Sequence, residues 1–225
     1  MKRQTIFIFV FIAVSVGDLI ASIISNHQLE LICKPLILLS LIGYYMAAAE
    51  TRSFVFIRAL FFSWVGDVLL LFTARAELFF ITGLIAFLIS HFLFIQVYRQ
   101  HRNSNIKNEL LGTQKVRYAL PIILVSTGLI VILYNSLGPL RIPVMMYAVV
   151  LCVMVLTALF RYGRTSQQSF WMVFTGAFLF LTSDSLLAIN KFLNTIAGAG
   201  FMIMLTYIAA QYFIVEGILR HSRKE

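Results

Sequence analysis

The strongest constraint in this chain is its division into long apolar runs with short polar connections between them. Runs at residues 5–25, 31–49, 53–73, 79–99, 116–136, 141–161, 169–190 and 198–219 are each close to the length a helix needs to cross a bilayer core, roughly 20 residues. A lipid-embedded backbone must satisfy its own hydrogen bonds, so runs of this length predict helices rather than open strands. With 60% hydrophobic residues, 12% charged and 21 phenylalanines among 225, the chain carries more apolar surface than one soluble core can hide. The expected fold is therefore an all-α polytopic membrane protein, a single integral membrane domain with eight transmembrane helices.

Charge gives the expected orientation. Fourteen Lys and Arg fall on one side of the eight runs, and only Lys34, Arg75, Arg141 and Lys191 on the other. The positive-inside bias then predicts that both termini are cytoplasmic. It also accounts for the net charge of +9 without nucleic acid as a partner. The first run follows "MKRQ" like a signal peptide, but it is long, contains Asp18 and has no small-residue cleavage site after it, so it reads as a retained first span. Cys33 and Cys152 lie in or beside apolar runs without metal or disulfide spacing and read as packing residues.

The longest connection, "RQHRNSNIKNELLGTQK" from Arg99 to Lys115, is polar and basic and separates two sets of four runs. A faint echo crosses it. "FFSWVGDVLLLF" in the third run lies over "FLFLTSDSLLAI" in the seventh with Asp67 on Asp184, each after a small residue and before a Leu-Leu pair. A parallel repeat of four helices is the corresponding expectation.

The acidic residues separate by type. The six glutamates fall in connections or near helix ends, whereas Asp18, Asp67 and Asp184 lie well inside apolar runs. A charged side chain at mid-bilayer costs ~2.5–3.5 kcal/mol on insertion scales, which makes function its default reading. The expected topology puts all three in the outer half of the membrane at similar depth. His91, Lys34, Tyr147, Asn190, Lys191, Tyr207 and Gln211 are candidates to join that layer. Each also has a plainer role: helix-to-helix hydrogen bonding for His91, packing for the tyrosines, snorkelling for the lysines.

Two desolvated carboxyls that share one proton provide an acid beside a base, the arrangement used in glycoside hydrolysis. Proton or cation transport is the competing use of the same residues. No metal or other cofactor is expected, because His91 is the only histidine inside a run. A serine hydrolase built on Ser183 with Asp184 is awkward, since neighbours on a helix point about 100° apart.

Several motifs together resemble the YhhN family, which includes mammalian lysoplasmalogenases: "KPL" at 34–36, "SWVGDVLLL" around Asp67, "FFITGLIAFLISH" at 79–91, "GAFLFLTSDSLLAINKF" at 176–192 and "TYIAAQYFI" at 206–214. They run in order from the second span to the eighth, and Asp18 receives no role from them. The resemblance implies an eight-helix membrane hydrolase, in the bacterial inner membrane, that cleaves the vinyl ether of lysoplasmalogens to a fatty aldehyde and glycerophosphocholine or glycerophosphoethanolamine. Its partners would be a lysophospholipid substrate and membrane lipids. Asp67 and Asp184 match the paired acidic positions, with Lys34, His91, Ser183, Asn190, Tyr207 and Gln211 as pocket candidates. Tyr147 and Lys191 are supporting candidates from the residues themselves. Two other readings stay open at this level, a small proton-coupled transporter and a non-catalytic lipid-binding protein. Pro35, Pro121, Pro139 and Pro143 sit near run ends rather than midway, which favours a fixed pocket over the broken helices of a transporter.

Overall fold

The computed structural model describes residues 2–103 and 110–222. Among them the regular structure is entirely helical: α1 (Lys2–Ile24), α2 (His27–Ala48), α3 (Phe54–Leu70), α4 (Glu77–Gln100), α5 (Gly112–Leu133), α6 (Arg141–Leu159), α7 (Gln167–Phe192) and α8 (Ala199–Ser222), with two short 3-10 turns between α5 and α6. Seven of these helices are long and apolar enough to cross a membrane. The exception is α3, whose 17 residues rise about 26 Å. It stops at Leu70 rather than running to 73, because Phe72 and Thr73 turn back on the carbonyls of Leu69 and Leu70.

Two compact units divide the chain within α4, one ending at Phe94 and the other beginning at Ile95. Of the connection at 99–115, residues 104–109 lie outside the described residues, as do Arg223 and Lys224.

In the first unit α1 and α2 form a hairpin. Its turn is Ser25, at φ 54°, followed by Asn26, whose side chain accepts from the Leu29 N–H at 3.1 Å and so starts α2 at His27. The polar stretch "HQLE" is thereby helical, and Lys34 stands about two turns inside α2 rather than at its opening. Small residues let the helices approach: a Cβ on Gly43 would meet the Phe7 ring, and one on Gly17 the Cys33 sulfur. From α3, Trp64 Nε1 donates to the Pro35 carbonyl at 3.0 Å. The Ser53 N–H donates to Tyr45 Oη at 3.0 Å, which pins the α2–α3 connection. Ser63 and Ser90 share a 2.7 Å hydrogen bond between α3 and α4.

In the second unit α7 and α8 are packed backbone to backbone. A Cβ on Gly176 would lie 2.8 Å from the Ala210 carbonyl, and one on Gly217 2.9 Å from the Val173 nitrogen. Glycines at both contacts are what permits this approach. Asn190 Oδ1 accepts from the Ile196 N–H at 2.9 Å and shapes the loop into α8.

A detail of register links the two aspartate helices. Laying Asp67 on Asp184 also lays Ser63 on Phe180 and Ser90 on Tyr207, and both are contacting pairs: Ser63 with Ser90, and the Phe180 ring edge-on to Tyr207 at 5.4 Å. The residue before each aspartate likewise meets the next helix, Gly66 against Phe87 of α4 and Ser183 against Ile203 of α8.

Candidate functional site

In the second unit, polar side chains from α6, α7 and α8 meet on a buried face. Tyr147, on α6, donates its hydroxyl to Asp184 Oδ2 on α7. Tyr207, on α8, is near enough to act electrostatically on Tyr147, and Gln211 Nε2 donates to Tyr207 Oη at 3.2 Å one turn further along. Tyr147, Tyr207 and Gln211 are buried, while Asp184 is half-buried. Gln211 Oε1 is buried and has no hydrogen-bond partner among the described residues. The result is a row of polar groups with a carboxyl at its accessible end, set in helices that are otherwise apolar. Such a row is costly unless it is used, since unmet polar groups in a low-dielectric interior forfeit their hydration.

Ser183 is buried beside Asp184, and its Oγ donates to the Ile203 carbonyl at 3.0 Å. That contact joins α7 to α8 and leaves the hydroxyl proton engaged. Ser183 thus positions the helix that carries Asp184. Asn190 is occupied with the α7–α8 loop, and Lys191 is exposed in the last turn of α7, where a cation complements the helix dipole.

The first unit holds the other candidates. Asp67, on α3, is 3% exposed, one turn beyond the Ser63–Ser90 contact. His91, on α4, is fully buried and adjoins Ser90, which also donates to the Ala59 carbonyl at 2.8 Å. Lys34 lies 3.9 Å from Glu30 Oε1 on its own helix.

The residue that sequence reasoning left without a place is Asp18. It is 0% exposed, and among the described residues both of its carboxyl oxygens lack a hydrogen-bond partner and the charges acting on it are those of Lys34 and Glu30. A signal for the nearness of Lys34 to Asp18 does exist in the sequence once the turn is known. In an antiparallel hairpin turning at Ser25–Asn26, residues equally far from the turn share a depth, and Asp18 and Lys34 nearly satisfy that condition. Among the described residues, no group of three or more His, Cys, Asp and Glu side chains is placed to hold a metal ion.

Helices of membrane-spanning length define an integral membrane protein, and within its second unit a carboxyl is held by a tyrosine on a buried polar face. The chain belongs to the YhhN family, whose model matches residues 29–218. Asp67, Asp184 and all eight supporting candidates fall within that stretch, and Asp18 falls outside it. No curated protein and no solved structure matches the chain.

Proposed function

We propose that this protein is a membrane lipid hydrolase that cleaves the vinyl ether bond of lysoplasmalogens in the bacterial inner membrane. The observation that carries the reading is the Asp184 carboxyl, held by the Tyr147 hydroxyl on a buried face of a YhhN-family protein. A vinyl ether is cleaved by adding a proton to its β-carbon. The double-bond electrons form the new C–H bond, and the ether oxygen shares the resulting positive charge as an oxocarbenium ion. Water then adds to the α-carbon and loses a proton, and the hemiacetal collapses to a fatty aldehyde and the glycerophospho-alcohol. The chemistry needs a proton donor in a dry setting and a negative group beside the developing cation.

On this reading Asp67 and Asp184 are the acidic candidates for two roles, donating the proton and stabilising the cation while orienting water. Tyr147 donates its hydroxyl to Asp184 Oδ2 and so orients the carboxyl. Gln211 and Tyr207 extend the polar row along which a water is held.

The test is product analysis with purified protein in detergent, given a lysoplasmalogen and, separately, an ester lysophospholipid. Aldehyde from the first and no fatty acid from the second is the expected result. Fatty acid without aldehyde would make the protein an esterase, and neither product would return the intramembrane carboxyls to transport or lipid binding.

A further inference from the structure

A groove distinct from the Asp184 site opens on the second unit between α5 and α7, beside the end of α6, and it owes nothing to the hydrolase reading. Its volume is about 900 Å³, near the upper end of the ~300–1,000 Å³ usual for ligand sites. Gln114, Tyr118 and Ile122 line it from α5 at intervals of four residues, and Phe170, Phe174 and Phe178 line it from α7 at the same interval. That spacing keeps each set on one helix face. Eight residues of helix rise about 12 Å, which sets the length of each wall. Half of the ~30 Å hydrocarbon core is ~15 Å, the depth that one lipid chain fills. The groove thus has nearly the length of the hydrocarbon in one leaflet.

Its wall is aromatic and fixed by ring contacts. Phe170 and Phe174 are stacked, with 5.7 Å between centroids and 7° between planes, and Tyr162 meets Phe170 edge-on at 5.1 Å. Phe170 is buried, while Tyr118, Trp171 and Phe178 are exposed along the opening. Gln114 Oε1 accepts the Leu111 N–H at 2.9 Å, which ties this polar lining residue to the backbone that starts α5.

A plainer explanation is that any lipid tail fills such a groove in passing. The charge at its end argues for selection among lipids. The groove ends where α5 and α7 begin and α6 finishes. The last turns of α8 are there too, because Ser169 Oγ in the first turn of α7 donates to the Gly217 carbonyl at 2.7 Å. The segments that adjoin these helix ends in sequence, 99–117, 160–168 and 216–225, hold ten Lys and Arg against three acids, Glu109, Glu216 and Glu225. Ten against three is a net charge of +7 with histidines neutral, and pairing among these side chains leaves that sum unchanged. A basic segment at the end of membrane helices attracts anionic headgroups and discriminates against neutral ones.

We propose that the groove binds an anionic phospholipid, with one acyl chain along the Phe170–Phe174 stack and the phosphate at the basic end, near the first turns of α5. Lys115 and Arg117 flank the lining residues Gln114 and Tyr118 there, so they bring charge to the mouth of an apolar slot. Chain and headgroup are read by different parts of one site.

The test uses the full chain in maltoside micelles with Trp64→Phe, which leaves Trp171 in the groove as the sole tryptophan. Phosphatidylglycerol with bromines midway along its chains is titrated in, and separately phosphatidylcholine with the same chains, while Trp171 fluorescence is followed. Quenching should saturate, with half effect at a tenfold or lower concentration of phosphatidylglycerol than of phosphatidylcholine, about 1.4 kcal/mol. Adding Lys115→Gln and Arg117→Gln should abolish that advantage and leave phosphatidylcholine quenching unchanged, with helix content checked by circular dichroism. Lysine at position 117, Arg117→Lys, keeps the charge and should keep the advantage. A reporter on the far side of α5 from Tyr118, Leu120→Trp combined with Trp64→Phe and Trp171→Phe, should be quenched equally by the two lipids. Native mass spectrometry of the unaltered chain should show phosphatidylglycerol retained in preference to phosphatidylcholine. Equal half effects at Trp171, or a preference unchanged in the glutamine chain, would mean passing lipid only and overturn the proposal. Relief of the quenching by an equimolar choline lysoplasmalogen would overturn it as well, by giving the groove to a zwitterionic single-chain lipid.

Discussion

Replacing Gly176 with alanine tests how the helix carrying Asp184 is held. The added Cβ would lie 2.8 Å from the Ala210 carbonyl oxygen, 2.8 Å from Ile214 Cγ1 and 2.9 Å from the Ile214 nitrogen. Two of those atoms are α8 backbone and cannot rotate away, so α8 has to retreat. Overpacking of this kind costs ~1–3 kcal/mol, against a gain of ~0.5–1 kcal/mol from replacing glycine inside a helix. Gly128, in α5, provides the control because nothing lies within 4 Å of its added Cβ. The propensity gain is common to both variants, so Gly176→Ala should be less stable than Gly128→Ala by ~1–3 kcal/mol. Unfolding in mixed micelles with increasing dodecyl sulfate, followed by helical circular dichroism, measures the difference. The retreat would also loosen the Ser183–Ile203 and Phe180–Tyr207 contacts, so activity should fall with stability. Equal stability of the two variants, within about 0.5 kcal/mol, would refute the close α7–α8 packing.

The remaining predictions concern the site and the orientation. Tyr147→Phe removes the donor to Asp184, and hydrogen bonds to charged groups are worth ~1.5–3 kcal/mol, so kcat/KM for aldehyde release should fall about ten- to a hundredfold while the fold survives. A change below about twofold would make that contact incidental. Ser183→Ala loses one interhelical bond and should cost ~1 kcal/mol of stability while leaving the rate within a few-fold; abolished turnover in a folded protein would restore Ser183 as a nucleophile. Reporter tags on both termini and in the Arg99–Lys115 connection should all be read in the cytoplasm, and a periplasmic signal from that connection would invert the assumed orientation.

Much of the fold is readable as hydropathy because the bilayer sets one length for every span, and each of the eight expected runs overlaps an observed helix. The ends are less readable. Polar "HQLE" is helical because Asn26 caps it, and α3 stops early through backbone turns that leave no mark in composition. Of the site, Asp184 stands out by the cost of burying it, but the Tyr147 partnership depends on the rotation of α6 about its axis, which apolar sequence barely encodes. The electrostatic influence of Lys34 on Asp18 is hidden for a related reason, since the depth match needs the turn position. Arg161 shows the opposite failure. Counted as one more positive charge in a connection, it is in fact sealed inside the second unit.

The central claim is that intramembrane carboxyls move the proton that cleaves a vinyl ether. Its most direct test is the rate of aldehyde release by Asp184→Asn and Asp67→Asn, each nearly isosteric with the original, measured with saturating lysoplasmalogen on protein shown to be folded. General acid and electrostatic contributions of this type predict a fall of about 10²–10⁴-fold in each variant. Full activity in both folded variants would contradict the account.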